Sequence, residues 1–142
     1  MQAIFFGSIG TIVETSEIQR RAFNMAFKEF GLGWYWNVGN YINMIQRPGG
    51  LQRIKEYSKL KLKDNEVKKI YNLKIKYFRK YSTNTVKPRE GVLDIINYAN
   101  KNNIKLGFIT TTSKETIEII KDSLSRYIDF NNFDIITYEN DC

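Results

Sequence analysis

Apolar and polar positions follow two rhythms along this chain. The first residues, Ala3-Ile4-Phe5-Phe6, form a short apolar run that stops at Gly7, the pattern of a buried strand in a parallel sheet. A second glycine, Gly10, comes three residues later, and a helix start at Ser16. Strand, tight loop and helix in that order place loop groups at the carboxyl end of a sheet, where α/β proteins keep their sites. From Glu17 to Phe30 the rhythm becomes helical. Ile18, Ala22, Phe23, Ala26, Phe27 and Phe30 share a face, with Ser16 as the N-cap and Gly31 as the stop. The aromatic run Trp34-Tyr35-Trp36 suits an inter-helix contact, with a stacked ligand as the other use of such rings.

Helical spacing returns over Val38 to Gln46, where Tyr41, Ile42 and Ile45 are apolar, and Pro48-Gly49-Gly50 breaks it. It returns again over Leu51 to Leu60 and over Asn65 to Tyr81, the latter capped by Asp64 with a stripe of Val67, Ile70, Leu73/Lys74, Tyr77 and Tyr81. After Pro88 and Gly91 the pattern reads as helix (Val92 to Asn102), strand (Ile104 to Thr110), helix (Lys114 to Leu124) and strand (Phe133 to Tyr138). The fold class expected is α/β: a parallel βαβαβ core with three strands and an inserted helical cap. Residues 1–15 and 86–142 form the core in this reading, and residues 16–85 the cap.

With 142 residues, 42% of them hydrophobic and 26% charged, the chain is long enough to build a packed interior and is not of disordered composition. No apolar run is long enough to span a bilayer, and the Met-Gln-Ala-Ile start lacks the basic lead of a signal peptide. Cys142 is the sole cysteine, so an internal disulfide is excluded and a cytoplasmic location is expected. The absence of histidine excludes triads, imidazole bases and histidine-ligated metals. The net charge of +7 is uneven. Residues 16–83 carry 15 Lys/Arg and 5 Asp/Glu, while the rest carries 7 and 10. The helical insert is therefore a candidate anion-binding surface, although charged helix surfaces of this kind are also common without a ligand.

Phe6-Gly7-Ser8-Ile9-Gly10-Thr11-Ile12-Val13-Glu14-Thr15 resembles the first motif of the haloacid dehalogenase-like phosphohydrolases, Phe-Asp-x-Asp-Gly-Thr-Leu-Val-Asp-Thr. The frame is intact, but Gly7 stands at the nucleophile position and Ile9 at the acid/base position. Leu106-Gly107-Phe108-Ile109-Thr110-Thr111-Thr112-Ser113 resembles the second motif. Arg20/Arg21-Ala22-Phe23-Asn24, Phe27-x-x-Phe30-Gly31-Leu32-x-Trp34-x-Trp36, Tyr41 and Gly49-Gly50-x-x-Arg53-Ile54 are similar to the helical cap of the sugar-phosphate branch, which includes β-phosphoglucomutase and the CbbY-like xylulose-bisphosphate phosphatases.

The resemblance implies a Rossmann-like core, here truncated, and a phosphatase or phosphomutase chemistry. In the family the first aspartate attacks phosphorus and the second shuttles a proton, while Mg²⁺ neutralises developing charge. Whether this chain is an enzyme is left open by Gly7 and Ile9, so no catalytic residue is assigned and no metal ligand is expected. Mg²⁺ is the family's cofactor and is not expected to bind here. Gln19 stands where the branch often has a cap histidine, and Leu51 where a phosphate-gripping lysine is usual. What survives for a phosphate is Gly10, Thr11, Thr110 and Thr111, with Arg20, Arg53 and Tyr41 in the cap. Each also has a structural use as a turn, a helix cap or a solvated charge.

The sequence also stops before the family's later motifs, which supply a lysine and metal-binding acids. Three functions are therefore weighed. One is a degenerate phosphatase-like protein that retains sugar-phosphate binding. Another is the N-terminal fragment of an active Mg²⁺-dependent phosphatase. The third is an anion or nucleic-acid module using the basic cap, with Tyr71, Tyr77 and Phe78 interleaved among lysines; those rings fall largely on the packing stripe, so nucleic acid is not the expected partner. A phosphorylated small molecule is expected as ligand. Self-association, or a missing C-terminal half, is expected at the exposed edge of Ala3–Phe6. No membrane partner is expected.

Overall fold

The computed structural model describes residues 2–139 and 141; Cys142 lies outside the described residues. Three strands and six α-helices follow in chain order: β1 (Ala3–Phe6), α1 (Ser16–Phe30), α2 (Val38–Met44), α3 (Gly50–Tyr57), α4 (Asp64–Ser82), α5 (Val92–Lys101), β2 (Lys105–Phe108), α6 (Lys114–Leu124) and β3 (Ile135–Ile136). This is the α/β arrangement with a three-stranded parallel sheet that the periodicity predicts. The order across the sheet is β1-β2-β3. The register pairs Ala3 with Lys105 and Phe6 with Phe108, then Gly107 with Ile135 and Phe108 with Ile136.

Several ends differ from the sequence reading: Ser16 is the first residue of α1 and not its cap, α2 stops at Met44, α3 runs Gly50–Tyr57, and β2 is shorter at both ends. The last strand is only Ile135–Ile136, because Phe133 closes a 3-10 turn at Phe130–Asn132 instead of extending in the sheet. There it packs against Phe6, Phe108 and Phe130, with ring centroids 6.3, 6.3 and 5.4 Å away. Asp64 is not the cap of α4 but its first residue. The carboxylate of Glu66 accepts the Lys63 N–H at 2.8 Å, half of a capping box, and Asp64 instead pairs with Lys55 at 2.8 Å. Gly31 stops α1 as expected: its φ of +85° is the left-handed conformation, and the Leu32 N–H reaches back to the Phe27 carbonyl at 2.9 Å.

The chain divides into two compact units, Ser16–Tyr81 and, from two segments, Met1–Thr15 with Ser82–Cys142. The helical unit is built around rings. Phe23, Phe27, Trp36 and Tyr41 are buried together with Ile54, Val67, Ile70 and Tyr71. Trp36 lies 4.8 Å from Phe23 and 4.7 Å from Phe27, and Tyr57 closes on it at 5.3 Å. The Trp36 backbone is itself clamped: Asn24 accepts its N–H at 2.8 Å and donates to its carbonyl at 3.0 Å.

In the sheet unit, Phe6, Leu106, Phe108, Ile117, Ile120, Leu124, Phe130 and Phe133 are buried. Lys105 and Asp134 fix the β2–β3 register, since one carboxylate takes both the Lys105 ammonium (2.6 Å) and the Leu106 N–H (2.8 Å). Among the described residues no helix is long and apolar enough to cross a membrane.

Candidate functional site: the strand tips and the helical unit

The tips of β1 and β2 meet through hydroxyl groups. Parallel pairing of Phe6 with Phe108 carries Ser8 and Thr110 to the same end of the sheet. Their side chains hydrogen-bond at 2.8 Å, and Ser8 also reaches Thr112 at 3.3 Å. Thr110 Oγ1 accepts the Thr112 N–H at 3.0 Å, while the Thr110 N–H donates to Thr137 Oγ1 at 3.4 Å. Ser8 and Thr110 are buried; Thr11 and Thr111 are exposed. The loop continues into α6, where the Ser113 and Thr116 hydroxyls bond at 3.0 Å.

The β1 loop turns on itself. The N–H groups of Thr11, Ile12 and Val13 all donate to the Ser8 carbonyl, at 3.3, 3.0 and 3.3 Å, and the Gly10 N–H donates to the Val13 carbonyl at 2.6 Å. Gly10, with φ +86°, makes this coil possible. The amides of Gly10 and Thr11, anion candidates in the sequence, are thus already bonded within the loop. On the β2 side, by contrast, the Thr111 N–H makes no hydrogen bond among the described residues.

Gly7 lies at the tip with a hydrogen where the family has a carboxylate. A Cβ built there would approach Thr11 Oγ1 to 3.1 Å. Mg²⁺ takes oxygen ligands that usually include carboxylates. Ser8 and Thr110 offer hydroxyls, and no carboxylate bonds either of them among the described residues. Nor is there any group of three or more His, Cys, Asp or Glu able to hold a metal among the described residues. The donor set at the tip does not fit the ion.

The remaining candidates lie in the helical unit. Arg20 is buried and occupied: it holds the Glu17 carboxylate through two nitrogens, at 2.8 and 2.6 Å, and donates to the Trp36 carbonyl at 2.7 Å. The bond to Glu17 raises its pKa further, and the same bond lowers that of Glu17. Arg53 donates to the carbonyls of Met44 (3.3 Å) and Arg47 (2.8 Å) and stands over the Tyr41 ring at 5.8 Å. It thereby ties α3 to the end of α2. An open cavity of about 390 Å³ adjoins it, lined by Asn43, Arg47, Gln52, Arg53 and Glu56 among others. Tyr41 is part of the buried ring cluster. Tyr71 and Phe78 are also buried.

One group went unrecognised in the sequence. Lys74 is only 2% exposed. Its ammonium donates to Gln19 Oε1 at 3.1 Å and sits 5.2, 5.4 and 5.0 Å from the rings of Phe23, Tyr71 and Phe78. Burial, with the charge of Arg53 adding to it, lowers its pKa to about 7. The signal was its place on the apolar stripe of α4, where a charge is out of pattern. Gln19, at the family's histidine position, is its partner. Ser8 and Thr112 were also missed as side chains, because hydroxyls carry no periodic signature.

The family model for haloacid dehalogenase-like hydrolases matches residues 10–141. Protein CbbY of Cereibacter sphaeroides is 31% identical over 124 residues, covering 84% of this chain and 54% of that protein. Protein CbbY of Rhodobacter capsulatus is 27% identical, covering 84% and 55%. The crystal structure of CbbY from Rhodobacter sphaeroides in complex with phosphate superposes with a TM-score of 0.86 at 28% identity, covering 99% of this chain and 64% of that one. A mutant of the same protein in complex with xylulose-(1,5)bisphosphate gives 0.87. The chain spans about half the length of the curated relatives it matches. With all but its first nine residues and the last inside the matched region, the chain belongs to the haloacid dehalogenase-like hydrolase family.

Proposed function

We propose that this chain holds a phosphorylated small molecule of the sugar-phosphate class without turning it over. The observation that supports this is the tip of β1. Phosphoryl transfer to the protein needs an activated oxygen there, and Gly7 and Ile9 provide none. Ser8 has a hydroxyl, but its partners are Thr110 and Thr112, and a chain without histidine has no imidazole to activate it. Catalytic groups that act as a unit fail together when one is lost. What stays is a set of donors suited to an anion: the Thr110 and Thr112 hydroxyls, the Thr111 N–H and the start of α6. The ligand class is taken from the phosphate and xylulose-(1,5)bisphosphate complexes of CbbY. The lack of carboxylates at the tip supports binding without Mg²⁺.

The test uses xylulose-1,5-bisphosphate. With Mg²⁺ present, phosphate release should not exceed that of a protein-free control. Calorimetry should detect binding of the same compound, and Thr110→Val should weaken it about tenfold, the loss of a charge-assisted hydrogen bond. Release at enzymatic rates would overturn the silence, and no detectable binding would overturn the ligand.

A second reading is favoured by coverage: the chain matches only 54% of its CbbY relative. On it, residues 1–142 are the N-terminal part of an active Mg²⁺-dependent phosphatase. A polypeptide that continues past Cys142 and releases phosphate from the same compound only with Mg²⁺ would establish it.

A further inference from the structure

Helix α4 has two faces of opposite character. Val67, Ile70, Tyr71, Lys74 and Phe78 are buried in the helical unit. Lys68, Lys69, Asn72, Lys76, Arg79 and Lys80 are exposed. At 3.6 residues per turn these six fall within about 120° of one another, so they form one stripe. From Lys68 to Lys80 the stripe rises about 18 Å. It holds five cations, and no Asp or Glu occurs from Val67 to Ser82.

The ordinary reasons for a lysine-rich helix face cover only part of this one. Glutamate three or four residues from a lysine offsets its charge on a solvated helix. Here Arg79 and Lys80 stand at those spacings from Lys76, and they repel it. Glu29 of α1 pairs with Lys76 at 3.3 Å. Asp64 is held low chiefly by its bond to Lys55, with the charge of Lys68 adding a smaller part. Lys69 and Lys80 have no carboxylate partner among the described residues. The helix dipole favours cations in the last turn, which accounts for Arg79 and Lys80. Lys68 and Lys69 lie in the second turn, where it gives them no support. The stripe is thus a face of unbalanced positive charge, and a polyanion relieves its self-repulsion.

The class of polyanion follows from what the stripe lacks. Single-stranded nucleic acid is held by bases stacked on aromatic rings. Tyr71 and Phe78 are buried, and Tyr77 hydrogen-bonds Glu29. A helix lying on a membrane needs apolar residues on its contact face, and a protein partner needs an apolar centre. The stripe has neither. Phosphate charge alone suits it. One strand of B-form DNA carries a phosphate every 3.4 Å or so of axis, so about 18 Å of helix spans about five phosphates, one for each cation. With its other face buried in the bundle, α4 rests on the backbone and does not enter a groove, so the bases are not read.

We propose that the exposed face of α4 is a docking surface for double-stranded DNA, held through its phosphates without sequence preference. The contact lies wholly within Ser16–Tyr81 and uses none of the hydroxyls at the strand tips.

The test titrates residues 1–142 into a fluorescein-labelled DNA duplex of about 24 base pairs and follows anisotropy from about 50 to 200 mM salt. The logarithm of the association constant should fall against that of salt with a slope near −4, a loss on the order of 10²-fold over this range. Lys69→Gln should reduce the slope by about 1, and the combined change Lys68→Gln, Lys69→Gln and Lys80→Gln by about 3. Lys101→Gln, the same loss of charge at an exposed site in α5, should leave the slope unchanged. Circular dichroism should show every variant as helical as the parent, since each position is exposed. A second duplex of unrelated sequence should bind within about twofold of the first. No binding at about 50 mM salt, a slope indifferent to Lys69→Gln, or a preference of about tenfold between the two sequences would overturn the proposal. So would tighter binding to an RNA duplex, to a single strand, or to vesicles of phosphatidylserine and phosphatidylcholine, each of which would name a different occupant.

Discussion

The two units solve the same problem in opposite ways. The helical unit closes on itself: its apolar stripes converge on Trp36 and the rings around it, and Arg20 and Arg53 are spent on carbonyls and Glu17. The sheet unit closes on one face only, with Phe6 buried and its neighbour Phe5 largely exposed. Helices satisfy their backbone internally, so a bundle is finished once its stripes meet. A strand satisfies half of its backbone per neighbour, so a sheet is finished only when its edges are dealt with. The difference puts a closed ring cluster in the first unit and an exposed strand residue, Phe5, in the second.

The comparison breaks first at Trp36. Trp36→Ala removes the ring that touches Phe23, Phe27, Tyr41 and Tyr57 and should destabilise the helical unit by about 3–5 kcal/mol in denaturant titration. A loss near zero would mean that the rings do not form its core.

Lys74 gives the next largest effect, with the opposite sign. Its folded pKa is about 7 against an ordinary 10.5. Between these values the unfolded chain binds more protons than the folded one, so stability rises with pH from about 7 to 10.5. Below about 7 both states are charged and this group adds no slope. Lys74→Met should stabilise the unit at neutral pH by about 1–3 kcal/mol and flatten that rise; an unchanged pH profile would count against a strained ammonium.

In the sheet unit Gly107→Ala should cost about 1 kcal/mol, because the Phe5 ring must swing off β2. A larger loss would show the ring to be held in place. The smallest change is Ser8→Ala, which removes one buried hydroxyl bond to Thr110 and should cost about 0.5–1.5 kcal/mol in thermal unfolding.

Periodicity made the elements legible. The stripe of Phe23, Ala26 and Phe27 marked α1, and Ala3–Phe6 marked β1 with its ends in place. Periodicity could not show that Phe133 would anchor a turn, since an aromatic residue fits a strand and a core corner equally well. The frame of the β1 loop was legible because Gly10 punctuates it. The destination of its amides was not, because three N–H groups converging on one carbonyl is a matter of geometry alone. Arg20 and Arg53 read as free cations in one dimension; folding brought Glu17 and backbone carbonyls to them.

The pairing of Phe6 with Phe108 also sets a timetable for synthesis. Translation at about 5–20 residues per second leaves roughly 5–20 s between the appearance of the first strand and its partner on the ribosome. The helical unit, Ser16–Tyr81, emerges complete within that interval. A nascent chain therefore has its helical bundle in hand while its leading apolar segment still waits for β2.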